Sequence, residues 1–158
     1  MARKRMFPNK AEMVRRANTL LVMLAVAPVL YLVVAFLVTF GKPGFEGNPV
    51  FVSVFFVVLA LVSLANIGFT VFIQTSKKLM SSRASIDPVG RTFHIMSLGA
   101  VLSEVHTVYG LALTLVSGSI LYGIGFSIVT WASLWWVRKR FKQNLGNLPN
   151  TSAQPVLE

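Results

Sequence analysis

Between Arg91 and Arg138 the only side chains able to carry charge are His94, Glu104 and His106. About 20 apolar residues in a helix cross a hydrocarbon core about 30 Å thick. This stretch is about twice that long, so it has to cross, turn and cross back. Ser117-Gly118-Ser119 is the natural turn, because it joins small residues to a permissive backbone. The spacing predicts spans at about 94–116 and 120–137. Two further uncharged runs precede them, giving spans at about 17–40 and 50–73. The expected fold is therefore an all-α integral membrane protein, with four transmembrane helices forming a bundle of two or three helical hairpins.

Composition agrees with that count. Of the 158 residues 54% are hydrophobic and 13% charged, against about 25% charged in soluble domains. The sequence has no cysteine, and hence no thiolate metal site. The formal net charge of +10 lies beside the apolar runs and has no interleaved aromatic pattern, which argues for anionic lipid headgroups as partner and against nucleic acid. Arg3, Lys4, Arg5, Lys10, Arg15 and Arg16 precede the first span. Lys77, Lys78, Arg83 and Arg91 separate the second from the third, and Arg138, Lys139, Arg140 and Lys142 follow the fourth. The other two connections hold one basic residue in total, Lys42, so the positive-inside rule puts both termini and the middle loop in the cytoplasm of a cell (inner) membrane protein. Trp131, Trp135 and Trp136 precede Arg138, where interfacial anchors belong.

Three segments follow: residues 1–16, a basic cytoplasmic N-terminal segment; 17–137, the transmembrane domain; and 138–158, a basic flank with a disordered tail from about Gln143. Ala25-Val26-Ala27 mimics a signal-peptide cleavage box, but it lies inside the apolar run and Pro28 follows it, so span one is expected to be retained. Pro28 should remove one backbone hydrogen bond from that span.

A charged side chain at the centre of a bilayer costs about 2.5–3.5 kcal/mol on insertion scales, which makes Glu104 the leading site residue. At 100° per residue Ala100, Glu104, Thr107, Leu111 and Thr114 share one side of span three. Gly99, Ser103 and Gly110 form a small-residue stripe beside it, with His106 on the edge and turned well aside from Glu104. On span two Ser63, Asn66 and Thr70 make a helical stripe, and Asn66 is expected near the depth of Glu104, where a hydrogen bond would offset burial. Span four offers Ser119, Gly123 and Ser127 at four-residue intervals, with Gly125 nearby, as a packing seam. Two imidazoles and one carboxylate make a poor metal set, and no motif implies a cofactor or an enzyme active site.

Residues 99–111, Gly-Ala-Val-Leu-Ser-Glu-Val-His-Thr-Val-Tyr-Gly-Leu, resemble the second helix of the rotor-ring c subunit (proteolipid) of rotary ATP synthases, typically Gly-x-Ala-Leu-Thr/Ser-Glu-x-x-x-Ile/Val-Tyr-Gly-Leu. The resemblance implies that Glu104 binds the translocated ion, with Tyr109 as a neighbouring site residue. Val105 stands where the family often has a polar residue in sodium-binding members, which favours protons. The family's repeated Gly-x-Gly in its first helix has no counterpart here beyond Gly68, and Asp87-Pro88 replaces its usual loop sequence. The expected function is proton translocation by a c-subunit-like membrane protein, with Glu104 as the ion-binding carboxyl and Asn66, Thr107 and Tyr109 tuning it. Other membrane subunits or a homo-oligomer are the expected partners, and the chain would not be an enzyme by itself. The competing expectation is an accessory or assembly subunit in which Glu104 is hydrogen-bonding glue.

Overall fold

A computed structural model describes residues 10–40, 48–76 and 88–148. It contains α1 (Lys10–Thr39), α2 (Pro49–Thr75), α3 (Pro88–Ser117) and α4 (Ile120–Gly146), with no strand among the described residues. All four helices are long and apolar enough to cross a membrane. The expected spans overlap these four helices, although α1 starts at Lys10, α3 at Pro88, and α4 runs on to Gly146.

That last extension corrects the expected tail. Phe141 and Leu145, 2% and 5% exposed, continue the buried line of Val137 at four-residue steps and close an apolar cluster with Met13, Ala17 and Val89. Asn144 Nδ2 donates to the Gln74 carbonyl at 3.2 Å, and Lys10 Nζ to the Leu148 carbonyl at 2.7 Å. Residues 143–148 are therefore ordered by packing and hydrogen bonding, while 149–158 lie outside the described residues.

Two connections are set by local chemistry. Asn48 caps α2, its Oδ1 accepting from Val50 N at 3.0 Å, with Pro49 in the first turn where a missing N–H costs nothing. Between α3 and α4, Gly118 has φ 69°, a left-handed conformation that favours glycine. Its N–H caps the Thr114 carbonyl at 2.8 Å.

α3 is the central helix. It packs against α1, α2 and α4, whereas α1 packs on α3 and α4, and α2 lies mainly on α3. α3 and α4 come close at Gly110, where an added Cβ would lie 2.8 Å from Phe126 Cβ and 3.2 Å from Gly123 Cα. Gly123 and Ser127 are buried in this seam, as expected, but Gly125 is exposed and an added Cβ there would meet nothing within 4 Å, so it takes no part. α2 keeps only Val52, Ser63, Thr70, Ile73 and Gln74 buried, and presents Phe51, Leu61, Leu64 and Phe72 outward.

α1 remains helical through the buried Pro28. Pro28 cannot donate to the Leu24 carbonyl. In the same turn the Trp131 indole donates to the Ala25 carbonyl at 3.0 Å, fastening α4 to the part of α1 that proline weakens. Trp131→Phe keeps an aromatic ring but removes the donor. Equilibrium unfolding in detergent should show a loss of about 1 kcal/mol, and an unchanged midpoint would mean that the bond contributes nothing.

Candidate functional site

The polar side chains of α3 divide by direction. Gly99, Ser103, His106, Thr107, Gly110 and Thr114 lie on one buried arc, because small and hydroxyl residues let neighbouring helices come close. Ser103 and Thr114 donate back to the carbonyls four residues earlier, Gly99 and Gly110, at 2.8 and 2.9 Å. The Thr114 oxygen then accepts from Gly123 N at 3.0 Å, so one hydroxyl joins α3 to α4.

Two further polar contacts tie α3 to its neighbours. His106, 1% exposed, has its Nδ1 2.9 Å from Ser63 Oγ on α2. Thr107 Oγ1 lies 2.8 Å from Thr130 Oγ1, both buried. Thr130 donates to the Phe126 carbonyl at 3.1 Å, which leaves Thr107 as the donor of the pair. Gln74 Nε2 adds a bond to the Ile95 carbonyl at 3.0 Å. The expected α2 stripe thus faces α3 and continues one turn further, to Gln74. Its spacing of four from Thr70 carried that signal in the sequence. Ser63–His106 and Thr107–Thr130 were not anticipated as pairs, because they depend on how the helices are rotated against each other.

Glu104 stands apart from this network. It is half-buried near the middle of α3, between the exposed Val101 and Val108 on the same side. It has no hydrogen-bond or ion-pair partner among the described residues. Two residues of helix separate it from His106 by about 160° around the axis, so it points away from the face that α2 covers. The expected Asn66–Glu104 hydrogen bond is not formed. Asn66 Nδ2 instead reaches the Tyr109 hydroxyl at 3.4 Å, with Tyr109 edge-on to the His106 and Phe126 rings. Of the four anticipated site residues, Asn66 and Tyr109 meet between α2 and α3, Thr107 turns into α4, and Glu104 is alone at the rim.

Chemically, the interior pairs are neutral hydrogen bonds between helices, and none of them presents a reactive group to a substrate. Glu104 is different. It is a carboxyl on an apolar surface, able to exchange a proton or accept hydrogen bonds from another chain. Among the described residues no three His, Asp or Glu side chains converge to hold a metal ion. No protein-family model matches the chain, and neither the curated proteins nor the solved structures compared with it give a match.

Proposed function

We propose that this chain is a four-span protein of the cell (inner) membrane, with both termini cytoplasmic, that takes part in proton translocation through Glu104. The observation that carries this reading is a mid-helix carboxyl half open on an apolar surface, with no hydrogen-bond or ion-pair partner among the described residues. In hydrocarbon the neutral acid is the less costly form, and ionisation becomes acceptable when a cationic or hydrogen-bonding group faces it. Among the described residues no such group bonds to Glu104. The reading therefore includes a second membrane subunit or further copies of this chain passing the Glu104 face, in the manner of c-subunit-like proteins. Basic residues toward the N-terminus of α1, Arg15 and Arg16, and toward the C-terminus of α4, Arg138 to Arg140, support the orientation.

A carbodiimide that attacks protonated carboxyls tests the reading directly. Glu104 should be labelled in vesicles, faster as pH falls because the protonated fraction grows, and Glu104→Gln should abolish both labelling and proton flux while leaving assembly intact. Absence of labelling at every pH would sink it. The alternative reading, an accessory subunit, draws support from the His106–Ser63 and Thr107–Thr130 bonds, which join helices without Glu104. In that case Glu104 would act as glue only between chains, and Glu104→Gln would keep function because an amide still hydrogen-bonds.

A further inference from the structure

The outer side of the α1–α4 seam carries a groove of about 220 Å³ that includes Asn18, Val22, Ala25, Trp131, Trp135 and Arg138 in its walls. The bonds from Trp131 to Ala25 and from Lys10 to Leu148 fix α1 and α4 as antiparallel and set Asn18 level with Arg138. From that level to the Trp131–Ala25 bond is seven residues, about 10 Å along the axis. One end of the groove is thus a guanidinium and an amide, and the other is aliphatic and aromatic.

Charge at the polar end is one-sided. Arg138 has no acidic partner among the described residues, and Lys139 and Lys142 on the same turns have none either. The nearby acid Glu12 is already paired with Arg16. Lys139 Nζ instead sits 5.4 Å from the centre of the Trp135 ring, bracing that indole at the groove wall. A ligand matching this surface needs an anionic head and an apolar body about 10 Å deep. Free anions and acidic peptides meet the first demand and not the second. A zwitterionic lipid brings a cation for which the groove has no acid.

We propose that the α1–α4 groove seats one anionic glycerophospholipid, its phosphate between Arg138 and Asn18 and an acyl chain along Val22, Ala25 and Trp131. The proposal rests on the membrane reading of the helices and not on Glu104, so loss of the proton-translocation reading leaves it standing. The phosphate would take charge-assisted hydrogen bonds from the guanidinium, and the Trp135 ring would lie at headgroup depth.

The test uses the full chain, delipidated in detergent and titrated with phosphatidylglycerol or phosphatidylcholine, read by thermal melting and by native mass spectrometry. Phosphatidylglycerol should remain bound and raise the melting temperature, whereas phosphatidylcholine should do neither. One Lys or Arg near a membrane surface is worth about 1 kcal/mol, so Arg138→Gln should weaken phosphatidylglycerol about fivefold. Val22→Trp, at a position 64% exposed, should fill the groove and remove binding without lowering the lipid-free melting temperature. Lys142→Gln, outside the groove on the same helix end, should change binding little. The proposal is overturned if phosphatidylcholine binds equally, if Arg138→Gln binds like the parent, or if Val22→Trp retains the lipid. It is likewise overturned if Lys142→Gln costs as much as Arg138→Gln, or if inorganic phosphate alone gives the same stabilisation.

Discussion

Valine in place of Gly110 should force α3 and α4 apart and give the largest loss of stability of any single substitution in this seam. An added Cβ already meets Phe126 Cβ at 2.8 Å and backbone at Gly123 and Tyr122 at 3.2 Å. Backbone cannot rotate away as a long side chain can, so the helices themselves must move. Overpacking of this kind costs about 3 kcal/mol, and Gly110→Val should lose about that much in unfolding by mixed detergent micelles. Gly125→Val supplies the control, since a Cβ there meets nothing within 4 Å. Equal midpoints for the two variants would show that α3 and α4 are not in close contact at Gly110.

The second large effect is expected at His106. Alanine there removes the Ser63 contact and empties a fully buried ring volume next to a helix that buries few residues of its own. Large-to-small changes in packed sites cost about 2–5 kcal/mol, and here the loss should fall on the attachment of α2. Because the sequence has no cysteine, the paired changes Asn66→Cys and Tyr109→Cys report that attachment cleanly. Cross-linking of the two thiols by a short bifunctional maleimide, which spans the space vacated by the tyrosine ring, should be efficient in the parent and drop several-fold with His106→Ala. A cycle with Ser63→Ala should give a coupling of about 0.6–1.7 kcal/mol, the range for hydrogen bonds between membrane helices. A coupling of zero would mean that the imidazole acts through its volume alone.

Helix number and turn position were readable because hydrocarbon thickness makes length diagnostic, and Gly118 marks the only short way back between two long apolar runs. The small-residue stripe of α3 and the Ser63–Thr70 line were readable for a related reason: close helix approach selects side chains without bulk. Helical spacing puts Glu104 with Thr107 and Thr114 on one side of the helix. The structure splits that side, taking the threonines inward and leaving the acid at the rim. Periodicity alone does not fix which arc of this helix meets protein, and a rotation of about 40–60°, the angle between residues three or four apart, decides whether a carboxyl is inside or at the edge. Phe141 and Leu145 were lost among basic neighbours, although their four-residue spacing continues from Val137. Thr107–Thr130 and Ser63–His106 were beyond reach, since each depends on the relative rotation of two helices that no local pattern specifies.

The uneven distribution of polar groups has a consequence for biogenesis. The first two helices are the more apolar pair, and the last two, joined by the Gly118 turn, are less so. In the membrane reading, synthesis delivers the greasier segments first, and they are already parked in the bilayer when the weaker ones emerge. α3 and α4 can then leave the translocon as a preformed hairpin, with Thr107, Thr114 and Thr130 already satisfied between them. His106 and the amide of Gln74 meet their partners only when that hairpin docks, so the order of translation itself spares the most polar segments a solitary stay in lipid.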